Sequence, residues 1–264
     1  MKASVIYAVQ LAALALAACG DSYSTGPDPV DPVDPDPPPQ ATVVTATGDI
    51  AARVGEFRAL LGEPANGGTA GEQPAGRREI NWDGAGANPF NNRNDFPPDF
   101  FNTNARTGAV FATNGSGFRN DSTLFADVDP SYADEFDFFT ENRIFAPVGS
   151  SQMEVLFRVA GETTPAAVTG FGVVFTDVDR NGAAGIEAYD RDGRSLGVYA
   201  APVRSDADGL SFVGMKFDEP IIARVRIVAG EASLAPGVYD ISNGGSADLV
   251  VMDNFLFGEP RALR

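Results

Sequence analysis

The sequence contains no histidine, one cysteine and one tryptophan in 264 residues. Without histidine, a mechanism with a histidine base and a zinc site with histidine ligands are both excluded. The single cysteine excludes an internal disulfide bond. Positive charge is also scarce, because 19 lysines and arginines stand against 36 acids and leave a net charge of −17. This balance disfavours binding to nucleic acid, which depends on basic side chains.

The residues that are abundant indicate a folded chain with many turns. Apolar residues make up 44% and charged residues 21% of the sequence, as in ordinary globular proteins. Glycine (29 residues), proline (19) and phenylalanine (19) are all frequent. This mixture favours short strands joined by turns over a bundle of helices.

The start of the chain has the pattern of an exported protein. Lys2 precedes an apolar run, Val5 to Ala18, that only Gln10 interrupts. The run is shorter than the roughly 20 residues of a membrane-spanning helix. Its length and its small residues at the end predict a signal peptide over residues 1–18.

The signal peptide ends in Leu16-Ala17-Ala18-Cys19, which resembles the lipobox of bacterial lipoproteins. The resemblance implies cleavage before Cys19, a diacylglycerol on its thiol and a further acyl chain on its new amine. Two or more acyl chains anchor a protein stably, whereas a single chain binds only marginally. The alternative is a secretory signal with an incidental cysteine. Gly20 after the cysteine favours the outer over the inner membrane of the bacterial cell envelope.

Residues 19–40 are predicted to form a disordered tether that carries the lipidated cysteine. Pro27 to Pro39 is an imperfect repeat of proline, aspartate and valine. Proline fixes φ and donates no amide hydrogen, so neither helix nor sheet forms there. Such a segment extends by roughly 3.1 Å per residue.

Residues 41–264 are expected to form a single all-β domain with a short helix near its start. Ile50, Val54, Phe57 and Leu61 have helical spacing, which predicts a helix over residues 49–61. Alternating runs then indicate half-buried antiparallel strands, with Arg224 and Arg226 on one outer face. The predicted strands cover residues 108–113, 143–147, 153–159, 169–177, 185–190, 196–201, 210–217, 222–229, 237–241 and 249–257. They favour a jelly-roll-like β-sandwich with a hairpin turn at Asp192-Gly193 and long polar loops at residues 114–121 and 127–137.

Several stretches resemble a family of exported bacterial proteins that has no assigned function. They include GRREINWDG at residues 76–84 and MDNFLFG at residues 252–258. The resemblance implies the β-sandwich and export, and it carries no activity. The final stretch is also similar to the last strand of secreted jelly-roll modules, including carbohydrate-binding ones. In several of those an aspartate of this strand helps to hold a structural calcium, which here implies Asp253.

Calcium is the one candidate cofactor. Asp177, Asp179 and Asn181 alternate before Gly182, which resembles the front half of a calcium-binding loop. The back half departs from that pattern, and the alternative is a polar turn between two strands. Asp253 lies in an apolar strand, where an unpaired carboxylate is costly to bury. It is predicted to bind calcium or to join a buried network, unless it faces solvent or pairs with arginine.

Trp82, with Asn81 and Asp83, is the candidate ligand-binding site, because sugar rings stack on aromatic faces while polar side chains bond their hydroxyls. The alternative is a tryptophan in the core. Arg77 and Arg78 either bind an anionic group or form an ion-paired edge.

These features predict a membrane-anchored lipoprotein whose β-sandwich binds a glycan or another surface polymer without catalysis. A structural or protein-binding lipoprotein is the alternative. A carboxylate-based glycoside hydrolase is a third, since such enzymes need only two acids. No nucleophile with an activating base is recognisable, so enzymatic activity is not expected.

Overall fold

A computed structural model of the protein describes residues 39–85, 89–204 and 209–263. The predicted signal peptide, the predicted lipidation site Cys19 and the predicted tether up to residue 38 lie outside the described residues. None of the helices within the described ranges has the length and apolar character that a membrane crossing requires.

The described chain is built mainly from short antiparallel strands. In chain order they are β1 (Thr42–Thr47), β2 (Arg77–Ile80), β3 (Ala109–Ala112), β4 (Gly117–Asp121), β5 (Ile144–Val148), β6 (Gln152–Phe157), β7 (Ala166–Ala167), β8 (Gly170–Thr176), β9 (Ala184–Tyr189), β10 (Ser195–Ala200), β11 (Leu210–Lys216), β12 (Arg224–Ala229), β13 (Val251–Gly258) and β14 (Arg261–Ala262). The helices are α1 (Ala51–Leu61) and α2 (Phe100–Thr103), with 3₁₀ turns at Asp83–Ala85 and Pro130–Asp134.

Two sheets face each other. Sheet A has seven strands in the order β1-β11-β8-β13-β5-β4, with β2 also paired to β13. Sheet B has five strands in the order β10-β9-β12-β6-β3. Successive strands pass repeatedly from one sheet to the other, and β7 and β14 form a small separate ribbon. The expected all-β, sandwich-like fold is therefore confirmed.

The main core lies between the sheets. Alternation in β6 directs Met153, Val155 and Phe157 inward, and they pack with Phe171 of β8 and Phe255 of β13. Burial of large apolar side chains of this kind contributes about 1.5–3 kcal/mol each. The inward side chains of both sheets thus hold the sandwich together.

Sheet A is also covered on its outer face, so every residue of β8 and β13 is buried. Over one half of the sheet lies α1, whose Val54, Phe57 and Leu61 pack against β8, β11 and β13. Over the other half lie two connections, defined here as the first outer loop (residues 122–143) and the second outer loop (residues 230–250). Apolar side chains of these loops, including Tyr132 and Leu249, pack on β5 and β13.

The predicted helix is confirmed, although it begins at Ala51 rather than at residue 49. It ends at Gly62, whose φ of 105° suits glycine and whose amide donates back to Arg58 and Ala59. The predicted hairpin is confirmed as well, because β9 pairs with β10 and Gly193 has a φ of 79°.

Two local predictions are wrong. Residues 237–241 form no strand, because the Asp240 carboxylate accepts the amides of Ser242 and Leu249 and so stabilises a turn. Residues 114–121 are not all loop, because their second half forms β4. That strand is polar but buried, since Arg119 pairs there with Asp121.

The contact between α1 and sheet A gives a test of the fold. A Cβ at Gly214 in β11 would lie 2.7 Å from the ring of Phe57. We expect Gly214→Ala to lower the free energy of unfolding by about 1–3 kcal/mol, because the buried ring must shift. Urea unfolding of the purified protein measures this change.

The matched control is Gly55→Ala on the exposed side of α1, where a Cβ meets nothing within 4 Å. Alanine there should raise the free energy of unfolding by about 0.5–1 kcal/mol, since it favours the helix. A Gly214→Ala protein as stable as the wild type would contradict the described packing.

Candidate functional site

The outer face of sheet B carries a row of paired charges, which we call the Arg–Glu ladder: Glu154, Glu187, Arg224 and Arg226. Arg226 of β12 lies opposite Glu154 of β6 and Glu187 of β9 in the strand register. Its guanidinium is 3.8 Å from the Glu154 carboxylate and 3.5 Å from that of Glu187. The predicted common outer face of the two arginines is therefore confirmed, and their charges are balanced.

The ladder is held rigidly on the sheet. Arg224 forms an ion pair with Glu154 and also lies 3.9 Å above the ring centroid of Tyr189. A cation on an aromatic face in this way gains further attraction. The Ser195 hydroxyl donates a 2.9 Å hydrogen bond to Glu187.

Two shallow depressions meet at Arg226. One, of about 350 Å³, lies between β3 and β6 and is bordered by Asn114 and Gln152. The other, of about 250 Å³, extends over β9 and β10 to Val198. The amides of Asn114 and Gln152 are exposed, and neither side chain has a hydrogen-bond partner among the described residues. This face can therefore offer amide and guanidinium donors to a ligand.

A second polar site, which we call the acidic cluster, consists of Glu135, Asp177, Asp179, Asp240 and Asp248. Carboxylate oxygens of Glu135, Asp177 and Asp240 lie within 4.8 Å of one another, and all three residues are buried. Asp179 lies within hydrogen-bonding reach of Asp240. The charge of Asp248 acts on the same group of acids.

Local backbone structure brings these acids together. Asp177 directly follows β8 and has a left-handed φ of 64°, which turns the chain away from the strand. Asp248 accepts the amides of Asp179 at 3.0 Å and Arg180 at 2.6 Å. It thereby ties the second outer loop to the turn after β8.

The environment of the cluster opposes ionisation. Burial and the charges of neighbouring acids raise the pKa of Asp177 to about 9. Burial raises the pKa of Asp248 to about 6, although two backbone amides oppose this shift. The pKa values of Glu135 and Asp179 are also raised, chiefly by burial.

The structure brings together only part of the predicted calcium set. Asp177 and Asp179 lie in the acidic cluster, whereas Asn181 is exposed on the turn and Asp253 belongs to a different network. Sequence reasoning missed Glu135, Asp240 and Asp248. They come from two loops distant in sequence, and only the acidic composition of residues 127–137 hinted at one of them.

Asp253 is buried at an irregularity of β13, where the register with β8 shifts between Met252 and Phe255. Its carboxylate accepts the amides of Phe139 at 2.7 Å and Thr140 at 3.2 Å. Burial raises its pKa to about 7. Of the predicted alternatives, the buried network is the one that this geometry fits.

The proposed aromatic platform is not present. Trp82 is only 1% exposed, stacks on Phe145 with ring centroids 3.9 Å apart, and donates its indole N–H to the Asp253 carbonyl. No sugar ring can reach its face while the core stays closed. Asn81 is exposed beside it, and Asp83 accepts the amide of Asn142.

The arginines of the GRREINWDG stretch are ion-paired. Arg78 is fully buried and forms two 2.7 Å hydrogen bonds with Glu259. It also donates to the carbonyls of Gly67 and Thr69. Arg77 pairs with Glu63 at 2.5 Å. Arg78 thereby holds Glu259, which follows β13, and the loop that contains Gly67 and Thr69. With these partners it is not available to an anionic ligand.

Comparison with known proteins adds no functional relative. No protein-family model matches the chain, and no curated protein matches it. A solved structure of a two-domain protein of unknown function from Bacteroides fragilis aligns with 59% of this chain at 14% identity. The alignment spans 46% of that chain, and its TM-score of 0.24 carries no structural argument.

The acidic cluster predicts how stability depends on pH without metal. The pKa of Asp177 is about 9 when folded and about 4 when unfolded. The folded state therefore binds more protons between these values, so the free energy of unfolding falls as pH rises through this range. Asp177→Asn removes this dependence, because an amide does not ionise.

Urea unfolding in excess chelator at about pH 5 and about pH 8 measures the effect. We expect the wild type to lose more stability than Asp177→Asn over this interval. Equal losses in the two proteins would show that Asp177 ionises normally.

Proposed function

We propose that this protein is a lipid-anchored lipoprotein of the bacterial cell envelope whose β-sandwich binds a glycan or another surface polymer without catalysis. The outer face of sheet B is the proposed binding surface. The observation that carries this proposal is the contrast between the sheets. The central strands β8 and β13 of sheet A are covered on both faces, whereas sheet B presents polar side chains and two depressions on its outer face.

The chemistry of this face favours a neutral, hydroxyl-rich polymer. Two arginines and two glutamates of the Arg–Glu ladder balance each other, so the surface has no excess charge to attract a polyanion. The exposed amides of Asn114 and Gln152 can donate and accept hydrogen bonds, as sugar hydroxyls require. Val198 is 72% exposed and offers an apolar patch to the carbon-bearing face of a sugar.

Affinity electrophoresis with neutral bacterial polysaccharides in the gel tests the binding surface. We expect the wild-type protein to be retarded, and Gln152→Ala combined with Arg226→Ala to abolish most of the retardation, because both side chains border the two depressions. The control is Asn243→Ala, which removes an exposed amide from the second outer loop. Retardation that survives the double substitution would place binding elsewhere.

Protein interaction is the alternative function. Polysaccharides that fail to retard the wild-type protein, together with a stable envelope-protein partner captured through the same face, would favour it.

The proposed anchor is tested separately. Cys19→Ser removes the thiol to which a diacylglycerol would be attached. We expect this protein to move from the membrane fraction to the soluble fraction after expression in a bacterium, because it lacks the acyl chains that hold it. Labelling with a radioactive fatty acid should mark the wild type alone. Equal labelling of both proteins would contradict lipidation at Cys19.

A further inference from the structure

Three distant segments deliver carboxylates to one point. Glu135 follows the 3₁₀ turn of the first outer loop, Asp177 follows β8, and Asp240 lies in the second outer loop. Their oxygens lie within 4.8 Å of one another. Two oxygens bound to the same Ca²⁺, each at 2.3–2.6 Å, lie at most about 5 Å apart. The spacing of the three carboxylates is therefore compatible with one shared ion after a small movement of the side chains.

The carboxylate of Asp177 points independently to a bound cation. The residue is fully buried, and neither carboxylate oxygen has a hydrogen-bond partner within the described part of the chain. One oxygen of Asp248 is buried and unpartnered in the same way. Buried polar atoms are almost always paired, because desolvation is otherwise uncompensated. A cation between these side chains supplies the missing interaction.

Hydrogen bonds hold the other ligands in place. Asp240 accepts the amides of Ser242 at 2.6 Å and Leu249 at 2.7 Å, one on each carboxylate oxygen. Glu135 accepts the Ser242 hydroxyl at 2.6 Å. Each oxygen keeps a lone pair for a metal, and outer-shell bonds of this kind orient metal ligands.

Arg180 does not neutralise the three central carboxylates. Arg180 follows Asp179, but its guanidinium donates to Glu231 at 2.5 Å and to the Ser246 carbonyl at 3.1 Å. It is therefore engaged at the rim of the cluster, outside the group formed by Glu135, Asp177 and Asp240. The negative charge at the centre is left for another cation.

The oxygen ligands of the acidic cluster favour calcium over other metal ions. We propose that the acidic cluster binds one Ca²⁺, with Glu135, Asp177 and Asp240 as ligands. Oxygen-only, carboxylate-rich sites of irregular geometry suit calcium, which accepts six to eight oxygens. Magnesium demands near-octahedral geometry at shorter distances, and zinc favours nitrogen and sulfur ligands.

The ion fastens both outer loops to the end of β8. The loops already contact each other, since the Tyr132 hydroxyl lies 2.7 Å from the Val238 carbonyl and Asp129 accepts the amide of Gly237. Glu135 and Asp240 belong to these loops, whereas Asp177 belongs to the sheet connection. Calcium thus adds an ionic attachment to the packing and hydrogen bonds that already join the loops to the sandwich, independently of any ligand on sheet B.

Isothermal titration of the chelator-treated, desalted protein with CaCl₂ tests this proposal. We expect about one strongly bound ion per chain and at least about tenfold weaker binding in Asp177→Asn and in Glu135→Gln, because each removes a charged ligand. Two controls should bind as the wild type does. Asp134→Asn removes the exposed acid next to Glu135, and Asp253→Asn removes a buried acid outside the cluster.

Thermal unfolding in chelator and in calcium distinguishes lost binding from lost folding. In chelator, Asp177→Asn should melt no lower than the wild type, because it removes a buried ionisable group. Calcium should raise the melting temperature of the wild type and both controls, and it should raise that of the two ligand variants by clearly less. Absence of calcium binding by the wild type, undiminished binding by Asp177→Asn and Glu135→Gln, or equal affinity for MgCl₂ would each overturn the proposal.

Discussion

The need to cover sheet A on both faces governs this structure. β8 and β13 are buried along their whole length, and most of their side chains are apolar, so both faces of their sheet have to be covered. The inner face packs on sheet B, and α1 covers half of the outer face. The other half depends on two loops that have little regular structure. Their attachment to the sheet is therefore the part of the fold that most needs additional interactions.

Buried charge is handled in two different ways in this chain. At the chain end, the buried Arg78 is matched by Glu259, so each charge has its partner within the protein. At the end of β8, several carboxylates lie close together without a positive charge between them. The carboxylate of Asp177 has no hydrogen-bond partner among the described residues. The first arrangement is complete by itself. We propose that a calcium ion completes the second.

Because sheet A is covered, the outer face of sheet B is the sheet surface that faces solvent. The Arg–Glu ladder fixes its side chains without net charge, and the ladder lies on the opposite sheet from the outer loops. Stability and binding are thereby separated. The proposed calcium would act on the loops over sheet A, while the proposed binding surface for an extended polymer lies on sheet B.

The sequence predicts those parts of the fold in which local pattern and tertiary environment agree. Alternation in β6 and β12 and the apolar stripe of α1 identify their elements, because one face of each is buried. The sequence pattern does not predict β4. Arg119 and Asp121 are buried there as an ion pair, but their polar side chains make this stretch of the sequence look like a loop. Trp82 shows another limit, since the same residues fit a sugar platform or a core, and only packing decides.

The acidic cluster could be predicted only in part. Asp177 and Asp179 follow a strand at alternate positions, which is a local signal. Glu135, Asp240 and Asp248 join them through the folding of two loops, and no spacing in the sequence encodes that meeting. For Asp253 the sequence suggests a metal ligand where the structure shows hydrogen bonds. Its neighbours in the strand are apolar, but its carboxylate accepts two backbone amides.

Amide hydrogen exchange followed by mass spectrometry, in calcium and in chelator, reports whether calcium holds the outer loops on sheet A. If calcium attaches the outer loops to the sandwich, exchange within residues 122–143 and 230–250 slows in calcium, while exchange in β9, β10 and β12 stays the same. Loop exchange that is equal in both conditions, or a uniform slowing over the whole domain, would contradict the account.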